Sequence, residues 1–181
     1  MFKAKIEDTN MNSQPLKASV AKTLRNKLIE AYPQTEDYID LLWPKKAKAF
    51  SLKLKGENHL QFIKLDEEIM FMELRDKPLL PMLRVLHRFP DMMTHMQCDK
   101  GAIRHIFSGS NVMAPGLTSE GGIIKDGCEE GHPVAIMAEG KKHAMGIGFM
   151  TMSSKDIKDQ GKGNAIELIQ FMNDSLWKEI K

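Results

Sequence analysis

A chain of 181 residues that is 42% hydrophobic and carries a net charge of +2 can bury one or two small cores and has room for one or two domains. No run approaches the roughly 20 apolar residues of a membrane-spanning helix, and residues 1–10 mix charge with isolated apolar side chains, unlike the apolar core of a secretory signal. Cys98 and Cys128 are too few and too far apart to hold zinc by themselves, so free thiols in a reducing, cytoplasmic compartment are expected.

Along the first half, Pro15 sits where a first helical turn tolerates it, and Leu16, Val20, Leu24 and Leu28 recur at spacing four, which predicts an amphipathic helix. Thr35 is expected to cap a second helix, with Glu36 and Asp37 in its first turn and Pro44 at its end, so that Tyr38, Ile39, Leu42 and Trp43 pack inward. Phe50, Leu52 and Leu54 then alternate with Ser51, Lys53 and Lys55 as a half-buried strand. Gly56, Glu57 and Asn58 turn the chain into a second strand over 60–65, and Asp66, Glu67 and Glu68 into a third over 69–74. Pro78 and Pro81 open a helix with Leu79, Leu83 and Leu86 on one side, and Pro90 stops it. Residues 1–92 therefore read as an N-terminal α+β domain, an antiparallel sheet with flanking helices.

Residues 93–181 read as a second, strand-rich domain punctuated by glycine. Asp99 can cap a short helix whose apolar side is Ala102, Ile103, Ile106 and Phe107 and whose end is Ser108-Gly109. A strand over 111–114 follows, turned by Pro115-Gly116. Lys100, Arg104 and His105 ride on that helix, so cationic donors lie beside a glycine-bounded loop that a sugar–phosphate backbone can approach closely. Residues 116–132 form a polar, glycine-rich connection, expected to be the mobile segment. Ser153 or Ser154 can cap another short helix, Gly161-Lys162-Gly163 breaks it, and residues 165–171 return as the last strand.

The order Lys100-Gly101-Ala102-Ile103, Ser108-Gly109-Ser110-Asn111-Val112-Met113 and Pro115-Gly116-Leu117-Thr118-Ser119 resembles the PUA domain of pseudouridine synthases and archaeosine transglycosylases. Residues 134–141, His143-Ala144 and the Gly146-Ile147-Gly148 pair resemble its strand, hairpin tip and returning strand. Met1-Phe2-Lys3, the Trp43-Pro44-Lys45-Lys46 run, Leu83-Arg84-Val85-Leu86-His87-Arg88-Phe89-Pro90 and Leu176-Trp177 narrow the likeness to the malignant-T-cell-amplified-sequence proteins, end to end. Departures are Ala114, where the family often has cysteine, Ser110 for alanine, Ser175 for glycine, the acidic loop over 120–131 and the Met-rich segment over 91–96.

The resemblance implies a PUA-type small β-barrel with short helices after the α+β domain. It also implies RNA contact through Lys100, Gly101, Arg104, Ser110, Asn111, Met113, Gly116, Lys141, Lys142 and His143. Each of these has a plainer role available: a lone surface lysine is usually solvated, both loop glycines serve the backbone, and Asn111 either meets a base edge or closes its turn. Trp43 is expected in the core and Trp177 against a partner or the neighbouring domain.

Charge places a further candidate in the first half. Residues 1–92 carry 16 Lys and Arg against 13 Asp and Glu, whereas residues 93–181 carry 10 against 11, so the second half is not globally basic. Lys45 and Lys46, in a compact cluster with Lys48, are candidates for rRNA contact. No spacing joins Asp99, His105 and His143 to a nucleophile, and the Gly146-Ile147-Gly148 pair lacks the third glycine of a dinucleotide fingerprint, so neither catalysis, cofactor nor metal is expected.

What the family implies is a non-catalytic translation factor. It would act on the small ribosomal subunit with density-regulated protein, in post-termination release of tRNA and mRNA and in reinitiation, with tRNA as a further candidate partner. Two other expectations stay open: a ribosome-assembly factor binding pre-rRNA, and a protein adaptor without RNA contact.

Overall fold

The first sheet takes the predicted strands without the predicted alternation: Ser51, expected to face outward, is buried while Phe50 is half-buried, and Met70, Phe71 and Met72 are buried in succession. In a computed structural model of the chain, which describes residues 11–54 and 59–179, five strands pair antiparallel in the order β1 (Met11–Pro15), β2 (Ala49–Leu54), β3 (Leu60–Leu65), β4 (Glu68–Leu74) and β5 (Leu80–Pro81). The turn expected at Gly56, Glu57 and Asn58 and the signals in residues 1–10 lie outside the described residues. Pro15 closes an edge strand opposite Phe50, a place that tolerates a residue with no N–H. The helix expected to start there, α1 (Ala18–Ala31), begins three residues later; it buries Leu24 and Leu28 and leaves Val20 exposed.

Thr35 caps no helix. Its buried hydroxyl donates to the Tyr32 carbonyl (2.7 Å) inside a 3-10 turn, Pro33–Tyr38, and the helix that follows, α2 (Ile39–Leu42), is one turn long. Trp43 then enters the core and stacks on Phe71 (5.5 Å between centroids), as expected of it. The helix placed after Pro78 and Pro81 starts later, as α3 (Leu83–Arg88), because Leu80 and Pro81 extend the sheet as β5.

The second sheet runs β6 (Thr94–Cys98), β8 (Pro133–Ala138), β9 (Gly146–Met150), β10 (Asn164–Phe171) and β7 (Val112–Met113), with only β6 and β8 parallel, and curls into a half-barrel. Around it lie α4 (Lys100–Phe107), α5 (Ala114–Thr118), α6 (Ser154–Gln160) and α7 (Ser175–Glu179). Pro115-Gly116 does not turn a strand: both residues belong to the first turn of α5, where a proline with no N–H to satisfy is well placed. Nor do residues 119–132 hang free. Gln97 and Ile123 exchange both backbone hydrogen bonds (2.9 Å each), Gln97 Nε2 donates to the Gly121 carbonyl (2.7 Å), and Ser154 N donates to the Cys128 carbonyl (2.8 Å).

β8 is buried along its whole length because both of its faces are covered. Val134, Ile136 and Ala138 point into the barrel with Met96, Ile106 and Val112, while Ala135 and Met137 join the core of the first domain. Ile147 and Phe149 of β9 and Leu176 of α7 join that core too. Polar contacts seal the same joint. Leu83 N donates to Gln170 Oε1 (2.8 Å), and the Arg84 guanidinium lies 4.2 Å over the Trp177 ring while donating to its carbonyl (2.8 Å). Trp177 therefore meets the neighbouring domain, one of the two roles expected of it.

Candidate nucleic-acid interface

The helix α4 is started by Asp99, whose Oδ1 accepts from Ala102 N (2.7 Å), and stopped by Gly109 at φ 81°. The Asp99 amide donates to the Gly116 carbonyl (2.8 Å), which draws α5 against the start of α4. A Cβ at Gly116 would stand 3.0 Å from the Ala102 methyl, so glycine there permits the approach.

Between these elements runs an open cleft of about 540 Å³, lined among others by Gly101, His105, Ser110, Asn111, Met113 and Gly116. Its floor is apolar, from Ala102, Ile106 and Val112, and Met113 stands half exposed above it (51%). Asn111 turns its carbonyl oxygen to the Leu168 amide (3.0 Å), so it ties the cleft wall to β10 while its own amide protons remain for other acceptors.

The remaining candidates lie elsewhere. Lys100 is exposed and pairs with Glu139 Oε1 (3.4 Å), and Arg104 is exposed on α4 with its Nε 3.2 Å from His105 Nε2. Lys141 and Lys142 are exposed beyond Gly140, which takes φ 72° at the β8–β9 hairpin. His143 faces the first domain, its ring 5.1 Å from that of His87, whose Nε2 in turn meets the Ala144 carbonyl (2.7 Å). The structure thus gathers Gly101, Ser110, Asn111, Met113 and Gly116 in one cleft and sets His143 at the domain joint. Glu139, which the sequence reading passed over, holds Lys100 beside the cleft: a Cβ on Gly121 would stand 2.2 Å from its carboxylate, so that glycine leaves room for the side chain.

In the first domain Lys45 pairs with Asp40 (3.3 Å), which also accepts from Arg25, and Lys46 is exposed. Lys45 lies with Lys22, Arg25 and Lys48 on the rim of a separate cleft of about 570 Å³. Cys98, buried beneath α4, has its thiol pushed up to about 12 by burial and, to a lesser degree, by Asp99, which keeps it protonated and unreactive. No group of three or more metal-ligating side chains occurs among the described residues.

The Pre-PUA-like domain family matches residues 5–90 and the PUA domain family residues 94–172. The chain is similar to the malignant T-cell-amplified sequence 1 homolog of Drosophila melanogaster, 45% identical over 98% of this chain and 97% of the relative. It is also similar to translation machinery-associated protein 20 of Saccharomyces cerevisiae, 39% identical over the same shares. Among solved structures, a hypothetical protein of Pyrococcus horikoshii superposes with a TM-score of 0.75 over 94% of this chain and 100% of that one, at 23% identity, and so shares the fold.

Proposed function

Because the chain belongs to the malignant T-cell-amplified sequence family, we propose that it is a non-catalytic RNA-binding factor of the translation machinery. In this reading it works in the cytoplasm on the small ribosomal subunit, paired with a density-regulated protein homologue, in post-termination release of tRNA and mRNA and in reinitiation. The observation that carries it is likeness across both domains, over 98% of the chain, to relatives one of which bears the name translation machinery-associated protein 20.

The geometry supports backbone and shape recognition rather than sequence reading. A glycine-walled cleft with a half-exposed methionine, beside the helix that carries Lys100 and Arg104, suits apolar contact with a sugar or base and phosphate contact, as at a folded RNA site. Lys141 and Lys142 on the hairpin, and Lys45 and Lys46 on the first domain, would add phosphate contacts.

The test is binding of the purified chain, with and without its density-regulated homologue, to small ribosomal subunits across a salt series. Tight, salt-sensitive binding is expected, weakened in the Lys100→Glu/Arg104→Glu variant with melting temperature unchanged. No binding in either form would overturn the reading, and an unaffected double variant would remove those two residues from it.

A further inference from the structure

A second cation-lined groove crosses the joint between the domains. One hollow of about 420 Å³ gathers Lys27 of α1, Lys53 of β2, His59 ahead of β3, and Arg75 and Lys77 after β4, against the carboxylates of Glu73 and Asp76. Glu73 is engaged by the side-chain amide of Gln61, which donates to it. An adjoining hollow of about 280 Å³ shares His59, Leu74, Arg75 and Lys77 and runs on to Phe149, Glu167 and Ile169 of the second domain. The shared residues make the two hollows continuous, and neither touches the lining of the cleft at α4 and α5.

The fold fixes the segment that carries Arg75 and Lys77. Arg75 N donates to the His59 carbonyl (2.9 Å), closing the open end of the β3–β4 hairpin, and Asp76 turns the chain at φ 59°. Lys77 N then donates to the Leu74 carbonyl (3.2 Å), and its ammonium sits 5.0 Å from the Phe149 ring centroid, across the joint. Lys27, Lys53 and Lys77 make no ion pair among the described residues.

We propose that this groove takes the phosphodiester backbone of structured RNA, as a contact separate from the cleft at α4; the proposal rests on the RNA-binding reading above. Lysine ammonium groups are compact point charges suited to phosphate, and the larger hollow offers polar side chains with no deep apolar pocket for a peptide anchor. The cations come from four separate stretches of sequence, so no run of basic residues announces them. They add a local surplus to the half of the chain that holds the net positive charge.

The experiment is a salt series of binding to small ribosomal subunits by the full chain carrying Lys27→Ala/Lys53→Ala/Lys77→Ala, alone and with the density-regulated homologue, with melting curves as the folding control. The expected result is about tenfold weaker binding and a slope of log affinity against log salt that is shallower by about 2 to 3, the share of three lost phosphate contacts. Unchanged affinity and slope, while Lys100→Glu/Arg104→Glu weakens binding, would overturn the groove and leave the functional reading standing. Failure of the unaltered chain to bind would overturn both. Retained subunit binding with loss of the homologue would overturn the RNA assignment in favour of an acidic protein partner.

Discussion

A Cβ on Gly148 would stand 2.3 Å from the Glu167 carbonyl oxygen and 2.6 Å from Ile166 Cγ2, so β9 and β10 touch where a side chain would keep them apart. Gly148→Ala is expected to lower stability by roughly 1–3 kcal/mol through overpacking, read as a fall in melting temperature. The sequence marks Gly146 and Gly148 as unlike a nucleotide fingerprint, yet the reason for glycine lies across the sheet and is invisible along the chain. Asp99 is the opposite case, since its cap is local and its partner Ala102 lies three residues on. Asn111 falls between: its capacity to donate and accept is legible, but its acceptance from Leu168, 57 residues away, is not.

Among the elements, those with a local signal are legible even when short, as with the capped α4 and α6, and those without one, such as β1, β5 and α7, are not. β3 occupies the predicted residues because its apolar Leu60, Phe62, Ile63 and Leu65 lie between two turns, not because it alternates, and β7 falls within the strand expected over 111–114, whereas β1 and β5 are set by the neighbours they pair with. The Pro115-Gly116 dipeptide carries two local meanings, a turn or a first helical turn, and the bond from Asp99 N to the Gly116 carbonyl goes with the second. The Met-rich segment at 91–96 proves to be a handover, with Met92 and Met93 in one core and Met96 in the other. The helix α7 belongs in sequence to the second half and in packing to the first: Leu176 is fully buried in the first core. Leu176→Ala is therefore expected to cost roughly 2–5 kcal/mol. Chemical denaturation followed by probes in each domain should show both transitions moving together.

At the scale of the molecule, the joint couples stability to acidity. Burial holds His87 below the ordinary histidine range, helped by the charges of His143 and Arg84 and opposed by its bond to the Ala144 carbonyl; burial lowers His132 as well. A histidine whose pKa is lower folded than unfolded binds its proton first in the unfolded chain, so stability is fully present above about pH 6.5 and is lost as pH falls toward the folded value. Melting temperature should therefore drop on acidification below that point, and His87→Gln, which cannot titrate, should reduce the drop. Equal acid sensitivity in the variant would remove His87 from the cause.

The doubly covered β8 has a consequence for how such a molecule discriminates. Two modules on a flexible tether sample many separations, and their second contact forms with an effective concentration spread over all of them. Here one strand is a wall of both cores, so the cleft at α4 and the cationic surfaces of the first domain stand at a single fixed distance and angle. In the proposed role the chain would act as a caliper, favouring a target whose two contact points match its own span over one with the same phosphates spaced differently.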